Sequence, residues 1–490
     1  MIDSATDAPD GARAERRRRP APVSLPVSLT IAGSDSGGGA GIQADLRTMA
    51  AHDTHPTSVV TSVTAQHTRG VARSSVLDPD DVRAQYETVV DDFEVGAAKT
   101  GMLGTADVVR TVTALVSDAS FPLVVDPVMV ATAGDRLLDP AGERAYADLV
   151  SEATLVTPNR DEAAALVDGA SGSAATDDVP AASGSDLTPR EAGAQLVERG
   201  ADAALVTGGH GDDDVVCDVL VTAEGAREFV HPRIDTAATH GSGCALSAAI
   251  AANLSRGHDL ESAVADAVGF AARAVRYPLD VGRGPGAVHP LVGKRNAADA
   301  RATIDAVRGI VERFVERDVR PLVPEVGTNV VGATPYAEAV DETAAVEGRI
   351  TKTIDGVEPN SGIRFGASSH LARFLLAARE HDPDLRFATN CRLSEETRRG
   401  LSALDAPVAW FDRTAEPADA ATMDWAADRV FDRTEEWSHA ATAGPAAGPY
   451  AVADEGAVGK EPMIRVVGET PEAVAATVER LLGDAADGDA

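Results

Sequence analysis

Residues 27–52 read VSLTIAGSDSGGGAGIQADLRTMAAH. An apolar, β-branched run up to Gly33 gives way to glycines. A stretch with Ile42, Leu46 and Met49 on one helical face follows. Strand, glycine-rich turn and helix therefore succeed one another within this single segment. The rhythm returns downstream, where TSVVTSVTA (57–65), PLVVDPVMV (122–130), ATLVTP (153–158) and AALVTGG (203–209) each end in Gly, Pro or polar residues. Alternation of this kind predicts an α/β domain over residues 25–292 with a largely parallel, buried sheet, and it places ligands at the carboxyl ends of the strands.

Outward from this core the pattern changes. Residues 1–24 read as a disordered tail, with Arg16 to Arg19 preceding prolines and serines in place of an export-type apolar core. DGASGSAATDDVPAASGSD (168–186) reads as a solvated insertion, because the α/β pattern resumes after it. Residues 293–318 read as a linker helix, and 319–485 as a second, smaller α/β domain with its own glycine-rich loops. No internal repeat is visible.

Composition narrows the class of protein. Asp and Glu number 77 against 44 Lys and Arg, a net charge of −33, and lysine occurs only at Lys99, Lys294, Lys352 and Lys460. Acidic residues spread along the whole chain suit a surface kept soluble in concentrated salt, where screening suppresses self-repulsion. The same balance argues against a phosphate-neutralising face for nucleic acid. Cys217, Cys244 and Cys391 make neither a disulfide framework nor a zinc motif. No apolar run approaches the roughly 20 residues of a membrane span. A cytoplasmic chain without membrane or nucleic-acid partners is expected.

Three loops of the first domain carry chemistry. GSDSGGGAGIQAD (33–45) lets backbone approach a ligand, although glycine-rich strand–helix turns are common. In VTPNRDEA (156–163), Asn159 and Glu162 stand at i, i+3 and could face one hydrated Mg²⁺, or equally form an ordinary helix cap. HGSGCALSAAIAANL (240–254) sets Gly241, Ser242, Gly243 and Cys244 before a small-residue helix, so that N–H groups and the helix dipole converge on one point. Cys244 there could be a stabilised thiolate serving as a base, or a small buried hydrophobe.

Together with VTAQHTRGV (63–71), KTGML (99–103) and DPVMVATAGDRLL (126–138), these loops resemble the hydroxymethylpyrimidine/phosphomethylpyrimidine kinases of the ribokinase-like superfamily over about residues 27–290. The resemblance implies an α/β/α sandwich, usually dimeric, that uses ATP and Mg²⁺ to phosphorylate the pyrimidine alcohol twice. It implies that Gln66 reads the aminopyrimidine edge, that Gly33, Asp45, Met102 and Val128 line the substrate pocket, and that Asn159, Thr207 and Gly209 serve the nucleotide. Cys244 stands where sugar kinases of the superfamily carry Asp, pointing to the pyrimidine branch. Two positions depart: Thr207 where relatives often have Lys, and Ala238 where Asn is frequent. A pyridoxal-type kinase fits less well because of Ala65-Gln66.

In the second domain Arg349, Lys352, Arg364, His370, Arg373, Lys460 and Arg465 gather among glycines. Cations concentrated in an acidic chain imply an anionic small ligand, or else structural pairs with its carboxylates. VPEVGTNVVGATP (323–335), FGASSHLAR (365–373), FDRTAEP (411–417) and GKEPMI (459–464) resemble the ThiN domain over about residues 310–485. That resemblance implies condensation of hydroxymethylpyrimidine diphosphate with thiazole phosphate to thiamine phosphate. Arg349 and His370 are implied as catalytic, with Lys352, Arg364, Gly366, Ser368, Ser369 and Lys460 binding phosphate. Some ThiN domains are instead ligand sensors, but no helix-turn-helix candidate flanks this one.

Overall fold

Alternating apolar positions in the strands divide the cores of both units. In the computed structural model, residues 22–130, 138, 140–169, 187–209, 214–404, 406–413, 422–431 and 450–486 are described, without the side chains of 140, 169, 422–424 and 484–486. Most of the expected tail, nearly all of the insertion at 168–186, the segment 131–137 and the end of FDRTAEP lie outside the described residues. The chain divides into two units, residues 1–291 and 292–490.

The first unit runs β1 (Val27–Ser34), α1 (Gly41–Ala51), β2 (His55–His67), β3 (Gly70–Val76), α2 (Pro79–Asp92), β4 (Val95–Thr100), α3 (Ala106–Val116), β5 (Leu123–Val125), α4 (Pro140–Val150), β6 (Leu155–Val156), α5 (Arg160–Gly169), α6 (Pro189–Glu198), β7 (Ala203–Val206), β8 (Val215–Thr222), β9 (Gly225–Pro232), α7 (Ser242–Ser255) and α8 (Leu260–Arg276). Its sheet has the order β3-β2-β1-β4-β5-β6-β7-β8-β9. The strands from β2 to β7 are parallel, and β3, β8 and β9 join antiparallel at the edges. Val125, Val156 and Ala204 face one core with α2 to α6, whereas Val124, Leu155, Ala203 and Leu205 face the other with α1, α7 and α8. A sheet covered on both faces needs apolar residues at every strand position, which is why these runs do not alternate with polar residues. The α/β/α sandwich and its largely parallel sheet are as expected from the alternation.

Helix α7 explains how the last loop reaches the sheet. Ala245, Ala248, Ala249, Ile250, Ala251 and Ala252 are all fully buried, so beyond its first turn the body of this helix has no solvent face. Small side chains let it approach the strands closely while α1 and α8 cover its sides.

The second unit contains α9 (Val292–Ala298), α10 (Ala300–Glu316), β10 (Val330–Ala333), β11 (Thr343–Val346), β12 (Ile350–Lys352), β13 (Val357–Pro359), β14 (Ile363–Phe365), α11 (His370–His381), β15 (Phe387–Arg392), α12 (Glu395–Ala403), β16 (Val408–Trp410), α13 (Thr422–Phe431), β17 (Tyr450–Asp454), β18 (Met463–Gly468) and α14 (Pro471–Ala486). Its main sheet has the order β14-β11-β10-β15-β18-β17-β16, and β12 and β13 pair separately. Only β16 and β17 run parallel. Val330, Ala344, Ala451 and Val466 face one core, their neighbours Val331, Ala345, Val452 and Val467 the other. The helix expected as a linker buries Val307, Ile310, Val311 and Phe314 in the first of these cores. Residues 300–316 are thus part of the second unit, held by an apolar stripe at helical spacing.

Candidate active sites

In the first unit the carboxyl ends of β1, β2, β4, β5, β6 and β7 open into one cleft of about 750 Å³. Gly33, Gln66, Met102, Val128, Asn159, Glu162, Thr207, Gly209 and the segment Gly241 to Cys244 all line it. Gln66 and Gly243, contributed by loops far apart in sequence, therefore share a cavity. Asp45 does not line it. That carboxylate lies fully buried beneath, accepting from Thr30 Oγ1 at 2.7 Å and from Lys99 Nζ at 3.1 Å.

The first glycine loop is organised by Asp35. Its Oδ1 accepts from Gly37 N at 2.8 Å, and its Oδ2 accepts from Gly39 N at 2.9 Å and Ala40 N at 2.8 Å. His240 Nε2 lies 3.1 Å from Oδ2. Burial pushes the Asp35 carboxyl up, but the hydrogen bonds from His240, Ala40 and Gly37 outweigh it and hold the group below its ordinary value. At Gly241, with φ +84°, a Cβ would stand 2.0 Å from Gly39 O, so only glycine fits where the two loops meet. Gln66 Oε1 accepts from Thr64 Oγ1 at 3.2 Å, and its Nε2 lies 3.5 Å from His240 Nε2.

Lys99 and Asp126 complete the cleft, and neither was singled out from the sequence as a site residue. Lys99 Nζ sits 3.1 Å from Asp45 Oδ1 and 3.7 Å from Asp126 Oδ2, with its side chain wholly buried. Burial disfavours the ammonium, yet the neighbouring acids, Asp45 foremost, prevail and raise its pKa. Asp126 Oδ2 accepts from Ser247 Oγ of α7 at 3.0 Å. The visible signals were the scarcity of lysine and an acid placed directly after the apolar run PLVV.

Each of two loop positions takes one of the readings its sequence left open, Cys244 a desolvated thiol and Asn159 with Glu162 a helix cap. Cys244 keeps some exposure to the cleft. Desolvation nevertheless pushes its thiol up to about 12, against the pull of Lys99, so at neutral pH it is a thiol and not a stabilised thiolate. Asn159 and Glu162 form a reciprocal cap at the start of α5: Glu162 N donates to Asn159 Oδ1 and Asn159 N to Glu162 Oε2, both at 2.9 Å. Asn159 spends its side-chain oxygen there. Desolvation and then the charge of Asp126 push the Glu162 carboxyl up to about 8.

In the second unit a cleft of about 510 Å³ is lined by Arg349, Ser368, Ser369, His370, Arg413, Lys460 and Arg465, among others. Arg349 has φ +71°, directly after Gly348 at +76°, in the turn between β11 and β12. A side chain held in the left-handed region marks a position fixed by its surroundings. His370 opens α11 and lies exposed, with Ser369 Oγ 3.3 Å from its Nδ1. Lys352, Arg364 and Gly366 do not line this cleft. Lys352 ends the small β12–β13 ribbon, Arg364 pairs with Glu347 at 2.8 Å on the surface, and Gly366 N donates to Thr343 O at 2.9 Å. The ribbon and the edge strand carry Lys352 and Arg364 elsewhere, which their clustering in sequence did not disclose.

Among the described residues no group of three or more His, Cys, Asp or Glu could hold a metal ion, and no helix is long and apolar enough to cross a membrane.

Residues 35–289 match the family model described as phosphomethylpyrimidine kinase, and residues 306–480 match that of thiamine-phosphate synthase ThiN. Over 267 residues the chain is 45% identical to a hydroxymethylpyrimidine/phosphomethylpyrimidine kinase of Streptomyces coelicolor, covering 54% of this chain and 94% of that one. It is 27% identical over 456 residues to a bifunctional thiamine biosynthesis protein ThiDN of Methanocaldococcus jannaschii, covering 92% and 97%. The pyridoxal kinase of Staphylococcus aureus, solved with ADP, superposes with a TM-score of 0.50 at 29% identity, over 56% of this chain and 96% of that one.

Proposed function

Because the chain belongs to the phosphomethylpyrimidine kinase family, we propose that it is a bifunctional enzyme of thiamine biosynthesis. The first unit transfers phosphate from ATP to 4-amino-5-hydroxymethyl-2-methylpyrimidine, giving the monophosphate and then the diphosphate. The second joins that diphosphate to thiazole phosphate, releasing pyrophosphate and thiamine phosphate. The observation that carries the kinase reading is the shared cleft of Gln66 and the Gly241–Cys244 loop. The amide of Gln66 offers a donor and an acceptor to an aminopyrimidine edge, and the N–H groups opening α7 face the phosphate being transferred. For the synthase, likeness to ThiDN along nearly the whole chain supports a paired activity.

Phosphoryl transfer asks for positioning and for compensation of negative charge. Lys99, kept charged by its buried carboxylates, is a cation of the first cleft coupled electrostatically to Cys244. Thr157 Oγ1 lines the cleft, buried and without a partner among the described residues, and a ligand oxygen would satisfy it. Glu162 and Asp126 both line the cleft and would hold Mg²⁺, whose charge would offset the desolvation that, ahead of Asp126, raises the Glu162 carboxyl. When bound, Mg²⁺ would neutralise phosphate oxygens. Cys244 lies within the phosphate loop, partly exposed to the cleft, where its thiolate, once the thiol proton has left to solvent, would take the hydroxyl proton. In the second unit the ring nitrogen of the thiazole needs no base. Arg349 and His370 therefore serve to orient and neutralise the departing diphosphate.

The acidic surface suits a salt-rich cytoplasm, and a homodimer matches the kinase family. The test incubates purified protein in molar KCl with hydroxymethylpyrimidine, ATP, Mg²⁺ and thiazole phosphate. Thiamine phosphate is the expected product. Pyrimidine diphosphate accumulating without it would reject the synthase half, and pyridoxal outcompeting the pyrimidine would reject the kinase assignment.

A further inference from the structure

Arg413 and Arg465 both line the second cleft, and both converge on Asp454. Arg465 Nη1 lies 2.8 Å from Asp454 Oδ2, and Arg413 Nη1 lies 3.4 Å from Asp454 Oδ1. The side chains are 4%, 9% and 0% exposed for Arg465, Arg413 and Asp454, so two guanidinium charges share one carboxylate out of water. Asp454 also accepts from Gly456 N at 2.9 Å, which spends more of its capacity. Arg413 Nε is buried with no hydrogen-bond partner among the described residues.

An unpaired buried donor and a surplus buried positive charge are both costly. A protein with a net charge of −33 had carboxylates to spare for this place. Among the described lining residues, Glu461 is the sole carboxylate, and Glu325 N donates to its two oxygens at 3.2 and 2.9 Å. Arg465 is braced by the rings of Phe374 and Phe411, with its guanidinium carbon 5.5 and 5.6 Å from their centres. The fork is thus rigid, charged and short of one anion.

We propose that Arg413 and Arg465, coupled through Asp454, form a buried seat for a phosphoryl anion in the second cleft. Guanidinium forks match phosphate oxygens in pairs, and Arg413 Nε supplies the donor that the protein leaves unused. The proposal rests on the synthase reading for the identity of the anion: the diphosphate of the pyrimidine, leaving as pyrophosphate, or the monoester of the thiazole.

The experiment compares wild type with Arg413→Met and Arg413→Lys, as full-length chains supplied directly with pyrimidine diphosphate and thiazole phosphate. Arg413→Met is expected to raise either the KM for pyrimidine diphosphate together with the inhibition constant of pyrophosphate, or the KM for thiazole phosphate, by roughly ten- to a hundredfold. Whichever pair moves names the occupant. Arg413→Lys, which keeps the charge but loses Nε, should fall between. All three tryptophans, Trp410, Trp425 and Trp437, lie in the second unit, so their fluorescence melt verifies that each variant is folded there. Unchanged constants in a folded Arg413→Met chain would overturn the seat even if condensation proceeds. If wild type does not condense at all, calorimetric titration with pyrophosphate, the first cleft being filled with ADP, decides separately. Loss of heat in Arg413→Met upholds the seat, and equal affinity overturns it.

Discussion

His240 Nε2 stands 3.1 Å from Asp35 Oδ2, a contact that ties the loop before α7 to the first glycine loop across 205 positions of sequence. Because hydrogen bonds outweigh burial and lower the Asp35 carboxyl, its stabilising effect is complete above the ordinary carboxylate value of 3.8 and lost as pH falls through its own lower value. Asp35→Asn should therefore lower the melting temperature of the first unit at neutral pH and erase part of the acid-side loss. Calorimetric melts from pH 3 to pH 7 check this. Parallel curves for the two proteins would contradict it.

Glu162 sits on the opposite side of neutrality. With its folded value near 8, above the ordinary 4.5, the native chain holds a proton that the unfolded chain has lost, so stability declines between these values as pH rises. Glu162→Gln keeps the cap but removes the titration. Its stability should be flat across that window, while the Mg²⁺ concentration needed for half-maximal kinase rate rises. Wild-type Mg²⁺ dependence in the variant would remove Glu162 from the cation's surroundings.

Cys244→Ala and His370→Ala separate the two activities. The first should cost the kinase roughly 10²- to 10⁴-fold, the usual weight of a positioned proton acceptor, while condensation of supplied diphosphate continues. The second should do the reverse. In the ligand-free protein Cys244, pushed up to about 12, should also resist iodoacetamide at pH 8. Rapid alkylation at that pH would show the thiolate to be present already.

Lys99→Met leaves Asp45 and Asp126 facing one another without their shared cation. Removing one partner of a buried ionic group costs about 3–5 kcal/mol, and chemical denaturation followed by circular dichroism should register a loss of that order in the first transition. A change below about 1 kcal/mol would mean that Lys99 is poorly coupled to these acids.

Much of this was legible before any coordinates. Strand–turn–helix alternation located the sheet, and the resemblance to the kinase family implied site roles for Gln66, Met102, Val128 and Gly241 to Cys244, which line one cleft. Geometry of the side chains was less accessible. Asp45 lies in the same motif as Gly33, yet helix α1 turns it beneath the cleft toward Lys99. Lys352 and Arg364 neighbour Arg349 in sequence but leave the second cleft, because a ribbon and an edge strand carry them outward. Arg413 escaped notice because its partner Asp454 is 41 positions away, brought near by β16 and β17 running side by side. Protonation was least legible: Cys244 at a helix start suggests a thiolate, and only the surrounding packing reveals that desolvation prevails.

The near contact of Gly241 with Gly39 carries a consequence for how ligands meet in the first cleft. With no room for even a methyl group between them, the loop before α1 and the loop before α7 would settle or loosen as one body. On the kinase reading, the ligand that arrives first would then meet part of the ordering cost for the second. Linkage would make that help mutual, so that alcohol and nucleotide tighten each other's hold by the same factor.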